Sequence, residues 1–266
     1  MTPVVSLTAG SLALAALLLL ASGVISVAFR LGLERSLLLA GVRMVAQLML
    51  VGIVLQLVFQ QSSPLWTTLV ALVMIAIAGY EAAARQSYRF KGLLTHGIGT
   101  LSLLVVSGLA TLYTVMVVIG SDAALQPRYV LTILGMILGN TLTAVALALD
   151  ALFTSVRRQR GEIETRLALG ETALQAMSGV VGAALRTALI PTINAMSVAG
   201  VVTLPGMMTG QILAGAPPAE AAMYQAMILF VISGAAGLGA AAATLAAAHL
   251  LTDERQRLRL DRLAQT

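Results

Sequence analysis

Residues 5–29 carry no charged side chain, and the same pattern, a long apolar run between polar boundaries, recurs six more times along the chain. About 20 residues of helix cross a hydrocarbon core of about 30 Å, so each run is long enough to span a bilayer. The further runs cover residues 36–59, 65–84, 92–119, 130–153, 187–214 and 222–251, the sixth interrupted by Pro205-Gly206. In lipid every backbone N–H and C=O must be bonded internally, and for runs of this length the α-helix does so within one segment. The reading is an all-α, polytopic bundle of about seven transmembrane helices, with a broken sixth helix, in contact with a lipid bilayer. With 59% hydrophobic and 10% charged residues, the chain cannot supply the polar shell of a soluble domain, where about a quarter of residues are charged. No linker-like stretch divides residues 1–266, which read as a single transmembrane domain. No Lys or Arg precedes the first run, which is therefore read as a retained span and not as a cleaved leader.

The basic residues give the orientation. Arg30 and Arg35 follow the first run and Arg85, Arg89 and Lys91 the third. Arg157, Arg158, Arg160 and Arg166 follow the fifth, and Arg255, Arg257, Arg259 and Arg262 the seventh. Seven crossings put all four places on one side, whereas the opposite loops, at 60–64, 121–129 and 215–221, carry only Arg128. Short loops rich in Lys and Arg remain in the cytoplasm. The N-terminus is expected outside a cell inner (plasma) membrane and the basic tail, residues 252–266, inside. This placement accounts for the net charge of +5 without nucleic acid.

With no cysteine, the chain has neither disulfides nor thiolate metal sites. Lys91, the only lysine, lies in Arg89-Phe90-Lys91-Gly92, with no glycine-rich loop before it and no Ser or Thr directly after it. There is thus no Walker A motif, and ATP, if used, is hydrolysed on another chain. HExxH and GxSxG are also absent, so the chain reads as a non-enzyme without a cofactor of its own. His96 and His249 stand far apart near membrane ends and read as snorkelling or satisfied side chains. No cluster of His, Cys and carboxylates has metal-ligand spacing, and the sequence names no metal.

The segment between the fifth and sixth runs, about 154–186, is too long for a turn. From residue 157 onward, Ile163, Leu167, Gly170, Leu174, Met177 and Val181 alternate at spacings of four and three, which places them on one helical face. Glu162, Glu164, Arg166 and Glu171 fall outside that stripe, and Glu162 with Arg166 forms an i,i+4 pair. The expectation is one cytoplasmic amphipathic helix, or two broken at Gly170. Such a helix either lies on headgroups or docks a partner, and its mixture of charges favours the partner.

Within the spans, Arg43 and Gln47 share a face of the second. An ionisable residue at depth faces a bundle interior or a water-filled path, although Arg43 can also snorkel to the headgroups. Glu81 and Arg85 suit a local ion pair at the membrane edge. In the fifth span, Gly135-Met136-Ile137-Leu138-Gly139-Asn140 combines a polar amide with glycines that permit close helix contact. The sixth carries Leu189-Ile190-Pro191-Thr192-Ile193-Asn194 and then Leu204-Pro205-Gly206-Met207-Met208-Thr209-Gly210-Gln211. Non-helical backbone at membrane depth is tolerated where it lines a cavity, so the Pro205-Gly206 break marks a candidate path. The Met207 and Met208 thioethers suit either a soft metal or packing, and packing is preferred.

The stretch Val202-Thr203-Leu204-Pro205-Gly206-Met207-Met208-Thr209-Gly210, followed by Ala214-Gly215 and Tyr224-Gln225, resembles the FetB (YbbM) family of ABC permeases. That family is associated with iron export alongside a separate ATPase, FetA. Arg43 with Gln47, Gly135-Met136 with Gly139-Asn140, Leu169-Gly170, and Arg186 with Leu189-Ile190-Pro191-Thr192 support the resemblance, which covers nearly the whole chain. It implies a homodimeric permease bound to two FetA-like ATPase subunits, which hold ATP and Mg²⁺, exporting iron or a related metal. Glu164, Leu169, Gly170 and Glu171 look like the ATPase-coupling segment, although Pro191 lies further from Gly170 than in the common importer form. The candidate substrate path comprises Arg43, Gln47, Met136, Asn140, Asn194, Pro205, Gly206, Met207 and Met208. The competing reading is an ion-coupled secondary transporter or channel that needs no ATPase. That mechanism calls for Asp or Glu well inside the spans, whereas the carboxylates here sit at membrane edges and in loops.

Overall fold

The computed structural model describes residues 9–61, 63–92, 94–120, 126–253 and 255–265. Residues 5–8 of the first expected span, 121–125 of the second low-charge loop, and residues 254 and 266 of the tail lie outside these. The chain order is α1 (Ala9–Ala28), α2 (Glu34–Gln61), α3 (Pro64–Ala84), β1 (Tyr88–Phe90), α4 (Leu94–Tyr113) and α5 (Pro127–Arg158). There follow α6 (Arg160–Ala168), α7 (Ala173–Ala176), α8 (Ser178–Val198), α9 (Gly206–Leu213), α10 (Pro218–Leu250) and β2 (Leu263–Gln265). A π-helical turn, Thr114–Ile119, extends α4. Among the described residues seven helices are long and apolar enough to cross a membrane, namely α1 to α5, α8 and α10, and they correspond to the seven runs read from the sequence.

The chain forms two compact units. The first holds α1 and α2, with residues 213–215. Its turn is closed by Ser26, whose hydroxyl donates to Glu34 Oε2 at 2.9 Å and accepts the Leu33 N–H at 2.9 Å. Gly32, at φ 69°, takes the left-handed conformation this turn requires.

In the second unit α5 is the central post, packed against α3, α4, α8 and α10. Small residues make these contacts. Ala144 and Ala148 of α5 meet Ala188 of α8 and Ala236 and Ala240 of α10. A Cβ at Gly239 of α10 would stand 2.4 Å from Thr141 Cγ2, and one at Gly79 of α3 only 1.9 Å from Thr100 Oγ1 of α4. At 1.5 Å per residue, α5 and α10 run roughly 50 Å, well beyond a hydrocarbon core of about 30 Å. The last turn of α5 carries Arg157 and Arg158, which complement its negative dipole end.

Past that end the second unit builds a cap. β1 pairs antiparallel with β2, Tyr88 opposite Gln265 and Phe90 opposite Leu263. Buried Phe90 meets Phe153 of α5 edge to face at 5.2 Å, and α6, α7 and the tail join the same core cluster. Three of the four basic segments read from the sequence therefore meet at one end of the bundle.

The sixth region differs in detail from the expectation. α8 begins at Ser178, well ahead of residue 187, because Gly179, Gly182 and Arg186 lower the apolar signal while Val180, Val181 and Ala184 are buried. It ends at Val198, so the interruption at Pro205-Gly206 follows a full-length helix. Between them Gly200, at φ 83°, donates its N–H to the Thr203 carbonyl at 2.8 Å and folds residues 199–203 into a tight turn. Pro205 stands just ahead of α9, where a missing N–H costs nothing, and its carbonyl accepts the Thr209 N–H at 3.0 Å. The eight residues of α9 reach roughly 12 Å and cannot cross.

The close contact at Gly79 gives a test. Gly79→Ala should lower the thermal unfolding midpoint in detergent, with a cost of about 1–3 kcal/mol for overpacking. Gly52→Ala on α2, where a Cβ meets nothing within 4 Å, should leave it unchanged.

Candidate functional site

Two neighbourhoods carry the residues singled out in the sequence, the first being the cap. α6 ends in a Schellman motif in which Gly170 N–H donates to Leu167 O at 3.1 Å and Glu171 N–H to Arg166 O at 3.2 Å. Gly170 sits at φ 95°, which only glycine adopts without strain. The next helix opens on a capping box. Thr172 Oγ1 accepts the Gln175 N–H, and Gln175 Oε1 accepts the Thr172 N–H at 3.0 Å. Leu169, Gly170 and Glu171 thus form a rigid tip between two capped helix ends, and Leu169 is 80% exposed. Arg166, Leu169, Gly170, Glu171, Gln175 and Ser178 line a cavity of about 430 Å³ beside it.

The break expected at Gly170 is therefore present, but the pairing and the stripe differ. Arg166 Nε pairs with Glu171 Oε2 at 2.8 Å, because the Schellman turn brings Glu171 back over the end of α6, and the Glu162–Arg166 pair is not formed. Glu164 is held by Arg160 at 2.8 Å. Of the stripe, Ile163, Met177 and Val181 are buried, whereas Leu174 is exposed because the turn rotates α7 away from the line of α6.

The tail holds this tip to the bundle, which the sequence did not announce. Gln256 Oε1 accepts the N–H of Ala173 at 2.7 Å. Arg262 Nη1 donates to Leu250 O at 2.6 Å and so caps the end of α10. Asp150 of α5 accepts the Ser87 N–H at 2.6 Å, and the Arg157 guanidinium stacks over the Tyr88 ring at 4.5 Å. Of these, only the Thr172-x-x-Gln175 capping box had a readable sequence signal. Asp253 is held below the usual carboxylate range, chiefly by the Arg257 N–H it accepts, and the Arg259 guanidinium draws Asp261 down to about 2.

The second neighbourhood is the face of α5, α8 and α9. Met136 and Met207 pack against one apolar cluster, that of Ile133, Ile137, Ile228 and Ile232. Met208 and Pro205 are half-buried and Gly206 exposed. Asn140 is exposed on α5 and donates Nδ2–H to Met136 O at 2.9 Å. Asn194 is exposed on α8. Arg43 and Gln47 are exposed on α2, in the other compact unit. Among the described residues no group of three or more His, Cys, Asp or Glu is placed to hold a metal ion.

Seven apolar crossing helices with a folded cap at one end define a polytopic helical membrane protein. The chain belongs to the UPF0014 family, an uncharacterised protein family whose model matches residues 9–251. It is 41% identical over 202 residues to the UPF0014 membrane protein slr1647 of Synechocystis, covering 76% of this chain and 77% of the relative. It is 34% identical to the probable iron export permease protein FetB of Escherichia coli over 88% of both chains. To the protein ALUMINUM SENSITIVE 3 of Arabidopsis thaliana it is 32% identical, over 87% of this chain and 83% of the relative. No solved structure is a significant match.

The tail carboxylates set a pH dependence. A carboxyl whose pKa is lowered by folding stabilises above its ordinary value, here 3.8, and that contribution is lost as the pH falls through the folded value. Hydrogen-exchange protection of residues 255–265, corrected for intrinsic rate, should hold from neutrality to about pH 4 and fall only below it. Loss of protection already at pH 5 to 6 would contradict the assignment.

Proposed function

We propose that this chain is the membrane-spanning permease subunit of an ABC transporter that exports iron or a related metal. ATP and Mg²⁺ belong to a separate, FetA-like ATPase chain. The observation that carries the reading is the tip at Leu169, Gly170 and Glu171. An apolar side chain 80% exposed at the apex of a turn fixed by a Schellman motif and a capping box is a preorganised contact for a partner, since little ordering entropy remains to be lost on docking. The lack of a Walker A motif accounts for a partner that hydrolyses ATP, and the resemblance to the FetB protein of Escherichia coli supports both the metal and the direction.

In this reading the cap is cytoplasmic, the N-terminus lies outside, and the membrane is the cell inner membrane. Two permease copies enclose the path, which covers the polar residues exposed on α5 and α8. ATP-driven closure of the ATPase pair moves the tip. Because α7 runs almost directly into α8, and Gln256 and β2 tie the tip to the tail and β1, the movement reaches α3, α8 and α10 together.

The test is copurification of the tagged chain with its candidate ATPase. A stable complex is expected for the native chain. Leu169→Asp should weaken it more than tenfold, since burying an unpaired charge at an interface centre costs about 2 kcal/mol or more, while the permease alone keeps its thermal stability. An unaffected complex would remove the tip from the interface, and no complex with the native chain would favour a transporter acting alone.

A further inference from the structure

α10 is 33 residues long, roughly 50 Å, and a bilayer counted with its headgroups is about 40–45 Å thick. The ends of α10 therefore reach headgroup depth. At its C-terminal end the basic tail folds back and closes a cavity of about 630 Å³, whose wall includes His249, Thr252, Asp253, Arg255, Arg257 and Arg262. The loop that presents these arginines is built round Asp253. Its carboxylate accepts the N–H groups of Arg255 and Arg257 at 3.0 and 2.9 Å, and Arg257 Nε at 2.9 Å. Gln256 takes the left-handed conformation, at φ 57°, which a side chain resists unless its surroundings hold it. It is held by its own N–H, which donates to Asp253 O at 2.9 Å, and by the Ala173 N–H that its Oε1 accepts at 2.7 Å. The loop is thus set before any ligand arrives. Three guanidiniums line the cavity against one carboxylate among the described residues. Arg257 Nη2 pairs with Asp253 at 2.8 Å, and Arg262 gives Nη1 to the carbonyls of Leu250 and Thr252. Arg255 is exposed, and its guanidinium meets no carboxylate among the described residues.

We propose that this cavity binds the phosphate of an anionic phospholipid. A guanidinium fork pairs with phosphate oxygens, and basic pockets beside spanning helices suit acidic headgroups. Two observations favour a lipid over a free phosphate. The cavity lies at headgroup depth, and the exposed side of α10 that leads to His249 is apolar, through Leu238, Ala242, Leu245 and Ala246. Leu238 and Ala242 also line an apolar cleft of about 850 Å³ shared with α4. Acyl chains have that surface to lie along while the phosphate reaches the arginines. Gln256 stands on the same cavity wall, so the bound headgroup adjoins the joint between the tail and α7.

The experiment is native mass spectrometry of the full chain in neutral detergent, equilibrated with equal amounts of phosphatidylglycerol and phosphatidylcholine of the same acyl chains. Thermal melting of the same samples accompanies it. One phosphatidylglycerol should be retained roughly tenfold more tightly than phosphatidylcholine, whose choline sets a cation against the arginines, and it should raise the melting midpoint. Arg255→Gln should weaken that retention roughly fivefold, the share of one basic side chain at an anionic surface, and leave the lipid-free midpoint unchanged. Arg158→Gln, which alters an exposed arginine at the end of α5 outside the cavity, should retain the lipid as the native chain does. Equal retention of the two lipids, unchanged retention in Arg255→Gln, or an equal loss in Arg158→Gln would each overturn the proposal. So would inorganic phosphate, added without lipid, that raises the midpoint as much as phosphatidylglycerol, since a free anion would then suffice. The measurement needs neither an ATPase nor a cargo, so its failure is distinct from failure of the copurification that tests the permease reading.

Discussion

Close approach of small residues around α5 holds the second unit together, and the rest of that unit depends on it. Between helices in lipid, burial of apolar surface gains little over contact with acyl chains, so association relies on van der Waals fit and near backbone approach. The alanines at 144, 148, 188, 236 and 240 and the glycines at 79 and 239 supply that fit. A larger side chain at these alanines or at Gly239 would move α8 and α10 away from the post on which the cap is built, and one at Gly79 would part α3 from α4.

The cap is an extension of the post. α5 is 32 residues long, and its far end offers Phe153 to Phe90 and a capped terminus from which α6 departs. Several cap segments are bonded to spanning helices or to one another. Asp150 holds the loop after α3, Arg262 closes α10, and Gln256 joins the tail to α7. In the coupling role proposed for Leu169, these ties are the route from the tip to the bundle.

The seven crossings were legible because a bilayer turns apolar length into a structural statement, and three of the four basic clusters meet at one end of the second unit. The start of α8 was not legible, since glycine, alanine and Arg186 weaken the apolar signal although their buried neighbours pack well. Pro205-Gly206 flagged an interruption, but the turn at Gly200 and the restart at Gly206 depend on backbone conformation that hydropathy does not encode. The three-residue strands β1 and β2 pair across more than 170 positions of sequence, too short for periodicity and too distant for a turn signal. The expected Glu162–Arg166 pair assumed a continuing helix. The helix stops at Ala168, and Arg166 turns to Glu171. Of the candidate path, Met136 and Met207 proved to share one apolar cluster, while Asn140 and Asn194 lie exposed on neighbouring helices.

The central claim is that this chain moves its cargo only when a separate ATPase drives it. The direct measurement is cargo accumulation in inside-out proteoliposomes, with the chain reconstituted alone or with its candidate ATPase, in the presence and absence of ATP. Accumulation that requires both chains and ATP is the predicted result. Equal uptake by the chain alone, driven by an ion gradient and indifferent to ATP, would contradict the account.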